Sequence, residues 1–479
     1  MCNAAIRIGA SRDWSIGLAA ADYQCDRSRP LRMPPRSLIR TFTAAILLAA
    51  AASAQAPESK PVLTIDKAVE LALQGNRRVR SSALEVHRAH EGTAAVRTQR
   101  LPQFQIYALG GETLRPISFT IPEGALGVYP NTGPIPAQSS KITTPQQFTG
   151  LILAQATQPL SQLWKVHLAT LSSQIGEALA QESLRRQRQE TAYSVRDLYY
   201  QIVQTQSLVE SAESNVKYLA ELQEETNRNL AQQTALKGDS LMVKAKLSRQ
   251  RYQLLILRDT FRNQCEALNQ LLGRDLGTEF IVEAQPAPSP SEIDVVGARQ
   301  EAMRQRAEVR QARLQIRQTE NDVRRQRAEY IPDLSVHFTS LSLPNVNFLP
   351  QNIMQAGLML QWQPFDWGQK HHKTEALKDA AQEASLSEQD AEQQVLRDVN
   401  GRFRALAESR ASLDTEALNQ EAEREKLRVV TNRYAQKAAL LSDVLQQQAA
   451  LAQADADYRK ALAAFWSAKA SFDHALGRE

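Results

Sequence analysis

Two periodicities alternate along this chain. In 333–339, apolar Leu334, Val336 and Phe338 alternate with Asp333, Ser335 and His337, the two-residue period of a strand with one apolar face. Residues 354–362 repeat it, with Met354, Ala356, Leu358, Leu360 and Trp362 on one side, and 103–109 with 148–157 form an earlier pair. Elsewhere the period lengthens. Leu198, Ile202, Thr205, Val209, Ala212, Val216 and Leu219 step by fours and threes, as do Leu396, Val399, Phe403, Leu406, Arg410 and Leu413. These heptads predict long helices packed as left-handed coiled coils. No proline occurs between Pro159 and Pro286 or after Pro364. The stretch from Trp164 to Gln233 would then extend roughly 105 Å as one helix.

The patterns occur twice. Val79-Arg80 recurs as Val309-Arg310 and Leu101-Pro102 as Ile331-Pro332, both 230 residues on. Gln158-Pro159 recurs as Gln363-Pro364 at 205, while Asp239 recurs as Asp443 and Leu272-Gly273-Arg274 as Leu476-Gly477-Arg478, both at 204. Each copy reads as a helical segment (Ile65 to Arg100, Val295 to Tyr330) stopped by Pro102 or Pro332, then two strands, then a hairpin of long helices. The helical turns fall near Lys237-Gly238-Asp239 and between Lys437 and Asp443. The first copy carries a long Pro/Gly-rich loop from Gly110 to Pro145, and a Pro-rich linker, 285–291, joins the copies. The organisation is a leader over 1–56, repeat 1 over 57–285 (hairpin about 103–157) and repeat 2 over 286–479 (hairpin about 333–362), the repeats forming one intertwined domain.

Alternation over about ten residues is the pattern of a transmembrane β-strand. Four strands cannot close a barrel, and lipid does not tolerate open edges, so if these strands span a membrane several copies must share one barrel. Trp164, Trp362, Phe365 and Trp367 fall where strand meets helix and are candidates for an interfacial aromatic belt, with ordinary packing as the alternative.

Charge changes little. The formal balance is +5, but seven arginines and three aspartates in residues 1–56 leave 50 basic against 49 acidic residues beyond. Such a body argues against a nucleic-acid partner. Residues 33–56 have the layout of a secretory signal, with Arg36 and Arg40 before a short apolar stretch and Ala-rich cleavage positions; Met33 makes a better start than Met1. Cys2 and Cys25 lie in this leader and Cys265 stands alone after it, so neither a disulfide framework nor a lipid anchor is expected.

The tandem repeat, the Leu-Pro or Ile-Pro stop before each hairpin, the Gln-Pro after it, Arg433-Tyr434 followed by 442–445 (Ser-Asp-Val-Leu), and a Leu-Gly closing each repeat together resemble the TolC family of outer-membrane efflux proteins. The resemblance covers nearly all of Leu63 to Gly477. It implies a mainly α fold with a small β part: four transmembrane strands and long coiled-coil helices per protomer, in a homotrimer with a 12-stranded β-barrel and a periplasmic α-helical barrel. It further implies a passive exit duct of a tripartite efflux or type I secretion system in the outer membrane, working with a periplasmic adaptor and an inner-membrane pump.

The family's best-known member narrows its entrance with two acids one turn apart and a basic residue nearby. Here Asp443 matches the first acid, Gln446 replaces the second and Ala439 the basic residue, with Asp239 equivalent in repeat 1. A negative ring or simple helix capping are the two readings of these aspartates. Lys237, Gly238, Lys437 and Ser442 are the candidate adaptor-contact residues of the tips, Lys437 standing where the family usually has Gly. No catalytic constellation, cofactor motif or metal set is legible. His87 with His90 and His371 with His372 lack the converging ligands a metal needs. The alternative to a duct is a periplasmic or secreted coiled-coil scaffold without a pore.

Overall fold

In the computed structural model, the described residues are 61–479 apart from 113, 117, 144–145, 234–235, 284–285, 289–293, 346–349 and 437, and the side chain of 441. The leader with Met33, most of the linker 285–291 and Lys437 lie outside them. Residues 60–479 form one unit.

The elements run β1 (Val62–Leu63), α1 (Ile65–Gly75), α2 (Arg77–Thr98), β2 (Gln103–Glu112), β3 (Ser118–Ile121), β4 (Val128–Tyr129), β5 (Gly133–Pro134), β6 (Ser140–Thr143), β7 (Phe148–Pro159), α3 (Gln162–Ala231), α4 (Lys237–Leu272), β8 (Ile281–Val282), α5 (Val295–Gln305), α6 (Ala307–Ala328), β9 (Asp333–Ser342), β10 (Asn352–Gln361), α7 (Gln369–Ala435) and α8 (Leu441–Ala475). α3 has 70 residues and α7 has 67. The heptad positions face inward as their spacing requires: Ile202, Thr205, Ala212 and Leu219 on α3, and Val399, Leu406 and Leu413 on α7, are buried.

The expected continuous helices before each hairpin are broken, at Asn76 and Arg306. Both residues leave helical geometry (ψ 127° and 129°), and both are places where the chain turns onto the end of its own repeat. Asn76 Oδ1 accepts from the amides of Arg78 and Val79, restarting the helix, while its Nδ2 donates to the carbonyl of Leu271. Arg306 occupies the matching place, and its Nη1 reaches the carbonyls of His474 and Ala475. The closing glycines explain the contact. Gly273 and Gly477 have φ of 71° and 80°. A Cβ on Gly273 would sit 2.2 Å from the Gly75 carbonyl oxygen, and one on Gly477 3.0 Å from Gln305. Only glycine allows both the left-handed turn and the backbone approach.

Two related cores sit beneath these kinks. One gathers Ala68, Ala72, Val195, Tyr199, Ile202, Leu268 and Leu272; the other gathers Ala298, Ala302, Val399, Leu406, Phe472 and Leu476, with Phe403 packed against it. The first is closed further by Leu63, Phe280 and Val282 of the small parallel pair β1–β8. A third cluster, Leu219, Val243, Leu247 and Leu445, ties α3, α4 and α8 together towards the helical turns. Among the described residues the helices neighbour one another in two series, α2–α3–α6–α7 and α4–α3–α8–α7, each a wall with free edges.

The four long strands form one antiparallel sheet in the order β10–β9–β7–β2. Each repeat supplies a hairpin, and the hairpins join where β7 pairs β9, Ile152 opposite Ser342 and Gln158 opposite Val336. The long loop of repeat 1 is more ordered than its Pro/Gly content suggested. β2 carries through Gly110 and Gly111 to Glu112, and the excursion beyond it folds into two small antiparallel pairs, β3–β6 and β4–β5.

Candidate functional site

The register divides the sheet into two unlike faces. Phe104 stands opposite Ala156, Ala156 opposite Phe338, and Phe338 opposite Ala356. Extending that row along the strands places Ile106, Ala108, Ile152, Ala154, Leu334, Val336, Met354, Leu358 and Leu360 on the same face. The other face carries Gln103, Gln105, Gln155, Thr157, Asp333, Ser335, His337, Thr339, Gln355 and Gln361. The apolar face has no cover: Phe104, Ile106, Met354 and Leu358 are each more than 70% exposed. β2 and β10 leave unpaired edges at opposite sides of the sheet. An apolar face of this extent with two open edges is not a solution in water.

The comparisons agree with this geometry. Residues 298–478 match the family of outer membrane efflux proteins. These residues make up most of the second repeat.

The fold of the chain is similar over most of its length to solved outer-membrane channels. It superposes on the outer-membrane channel OprN with a TM-score of 0.70 at 17% identity, covering 87% of this chain and 90% of that one. VceC from Vibrio cholerae gives 0.67 at 16%, over 86% and 96% of the two chains, and CmeC from Campylobacter jejuni 0.70 at 14%, over 86% and 85%. At such identities the likeness is one of fold. No curated protein matches the sequence.

The sheet–helix junction carries the four candidate aromatics, all exposed. Trp362 lies one residue past β10, which ends at Gln361 and not at Trp362. Phe365 and Trp367 pack edge to face with centroids 4.7 Å apart, and Trp367 adopts a φ of 56° immediately before the left-handed Gly368 that opens α7. Asp366 receives the amide of Lys370 at 2.9 Å, so this carboxylate takes the capping role. Trp164 sits in the first turn of α3, stacked on His167 at 5.6 Å. Lys165 Nζ lies 2.8 Å from Asp333 and 3.6 Å from Glu329, locking α3 to the base of β9.

At the helical turns two expectations change. Lys237 and Gly238 are the first residues of α4 rather than the turn, because extended Leu236 (ψ 145°) precedes the helix directly. In repeat 2 the helix likewise starts after Leu440, with Ser442 and Asp443 in its first turn. Asp443 Oδ2 accepts the backbone N–H of Leu440 at 3.0 Å, and Ser442 Oγ donates to its Oδ1 at 3.4 Å. Asp443 is therefore a helix cap within the protomer, and it is also exposed, as are Gln446, Ser442, Lys237 and Gly238. Asp239 is half-buried and forms no side-chain cap. Leu445 and Val243, close to the two aspartates in sequence, belong to one apolar cluster, so α4 and α8 start from a common packing centre. Beside it the Tyr218 phenol is pushed up by burial, with Glu225 and Tyr434 adding to the shift.

No group of three or more metal-ligating side chains converges among the described residues. His87 lies near Glu91, and His90 bonds Glu177 at 3.1 Å, so each member of that pair turns to its own carboxylate. His371 and His372 meet edge to face with centroids 5.4 Å apart. Burial pushes the Cys265 thiol up to about 11, away from thiolate chemistry at neutral pH. Sequence reasoning missed the Asn76 and Arg306 kinks, although they are 230 residues apart, the same offset as Val79 from Val309 and Pro102 from Pro332.

Proposed function

We propose that this protein is an outer membrane efflux protein, the exit duct of a tripartite export system, a homotrimer whose sheets close into one 12-stranded barrel and whose helices form a tunnel in the periplasm. The four-stranded sheet carries the reading: one face is apolar enough for lipid, the other holds most of the polar side chains, and both edges are unpaired. Three copies joined β2 to β10 satisfy every edge, and the free edges of the helical wall would be joined by the same rotation. A pore-free scaffold gives no role to that apolar face.

In this reading the protein lies in the outer membrane with Trp164, Trp362, Phe365 and Trp367 at the lipid–water boundary of its periplasmic side. The helical turns meet a periplasmic adaptor through Lys237, Gly238, Lys437 and Ser442, and an inner-membrane pump supplies the energy. Asp443, with Asp239 behind it and Gln446 one turn on, lines the periplasmic aperture. Three exposed carboxylates on a three-fold axis would favour cations there. Passage needs no covalent step, so the side chains act by shape and field alone.

The test is to extract the full chain from outer membranes in detergent, measure its mass and record negative-stain images. Three-fold particles with a hollow rod on the order of 100 Å below a short barrel are expected. Solid rods that need no detergent would overturn the duct.

A further inference from the structure

The face of the sheet turned away from lipid is not uniformly polar. Tyr107 stands opposite Leu153, Leu153 opposite Leu341, and Leu341 opposite Ile353, an apolar row that crosses all four strands. Leu109 opposite Leu151 adds a second row on β2 and β7. The next row towards the helices is Gln105, Gln155, Thr339 and Gln355. Besides the Tyr107 phenol, the four strands hold three ionisable side chains: Glu112, Asp333 and His337. Glu112 shares the face of Phe104 and Ile106. Asp333 is bound to Lys165, and His337 Nδ1 lies 3.1 Å from Thr157 Oγ1. The apolar row and its amide neighbour are thus free of charge.

Nothing in the strands' own folding calls for an apolar row here. Side-chain alternation would hold equally with Gln, Ser or Thr, which the rest of this face uses. Tyr107 and Ile353 are exposed and Leu153 and Leu341 half-buried, and apolar surface left towards water gains nothing unless something apolar comes to it. The arrangement is that of a small-molecule surface: apolar lining bordered by a few placed hydrogen-bonding groups.

We propose that Tyr107, Leu153, Leu341 and Ile353 form a contact site for small amphiphilic cargo, which lays an apolar face on this row and turns a polar group to Gln105, Gln155, Thr339 or Gln355. The proposal rests on the duct reading and names a cargo class for it. Strands about 4.8 Å apart make the row about 14 Å wide, the size of a few linked aromatic rings. A hydrated metal ion finds no charge there to replace its water. Strand tilt in a barrel carries the row obliquely across the wall, so three copies form three inclined stripes and not a closed constriction. Cargo is held briefly and released.

The experiment records single channels of the full-length protein in planar bilayers, with tetraphenylphosphonium and tetramethylammonium as probes of equal charge. Block by tetraphenylphosphonium should weaken about tenfold in the double variant Leu153→Gln, Leu341→Gln, while block by tetramethylammonium stays unchanged. Gln155→Leu widens the stripe and should strengthen tetraphenylphosphonium block, which guards against a simple folding defect. Channels of normal conductance in which none of these variants alters tetraphenylphosphonium block would overturn the contact site and leave the duct standing. Absence of any conducting channel from well-folded wild-type protein would overturn both.

Discussion

Ala154 and Gln155 are neighbours in the chain and lie on opposite faces of the sheet, which makes them a sharp test of the face assignment. Ala154 stands opposite Ile106 and Ser340, and Gln155 opposite Gln105 and Thr339. β7 has 12 residues, and Ala154 is six beyond Phe148 and five before Pro159. A strand rising about 3.3 Å per residue and tilted about 40° descends roughly 2.5 Å per residue, which puts Ala154 near the middle of an apolar band about 25 Å tall. An arginine on the lipid face at that depth costs about 2–4 kcal/mol, or roughly 6–12 kcal/mol over three protomers. That approaches the whole stability of an ordinary domain, about 5–15 kcal/mol. Ala154→Arg should therefore abolish assembly. Gln155→Arg places its guanidinium in water and should assemble normally, with a shift of the channel towards anions. The assay is the fraction of chain recovered from outer membranes as heat-sensitive trimers, followed by reversal potentials for Gln155→Arg in a salt gradient. Equal recovery of the two variants, or loss of Gln155→Arg alone, would refute the assignment and with it the barrel.

Gly273→Ala forces a Cβ into the Gly75 carbonyl at a left-handed φ and should destabilise by roughly 2–5 kcal/mol. Gly477→Ala, with its nearest atom at 3.0 Å, should cost less; thermal unfolding in detergent reads the difference, and equal losses would mean that the approach to Gly75 does not matter. The His474 imidazole is held below its ordinary value by burial, against the pull of Glu190, and its ring packs on Tyr193. The folded chain then binds that proton less tightly than the unfolded one, so the contribution is full above about pH 6.5 and is lost as pH falls below it. His474→Phe keeps the ring packing and should flatten this acid limb; an unaltered limb would assign it to other groups. Asp443→Asn keeps an acceptor for the Leu440 amide while removing the charge, so cation preference should fall with little change in melting. A lower melting point with unchanged reversal potential would leave the residue a cap alone.

The elements legible before folding were those whose cause is local. Alternation at 333–339, heptads at 198–219 and prolines at 102 and 332 each act within a few residues of themselves, and the helices and strands follow them. The repeat was legible as well, because matched landmarks at fixed offsets need no geometry. Of the two apparently continuous helices before the hairpins, the first carries a local signal that was passed over, the Asn76 cap, whereas Arg306 makes no side-chain cap; both residues also meet carbonyls far along the chain, 195 residues on for Asn76 and 168 for Arg306. Likewise 110–145 read as an irregular loop, since short strand pairs such as β3–β6 are held by partners that alternation over four residues does not reveal.

The aspartates divide the same way. Asp239 and Asp443 were both placed at a helix start by the repeat, and each is the third residue of its helix, yet only Asp443 accepts the amide of the residue before the helix. What the sequence by itself determined is the kind of each element, the duplication and the amphipathic character of the strands, because these follow from side-chain chemistry at short range. Only the tertiary structure decided the rows. That Tyr107, Leu153, Leu341 and Ile353 lie side by side depends on the register of three strand pairings, and a slip of one residue would send each of them to the opposite face.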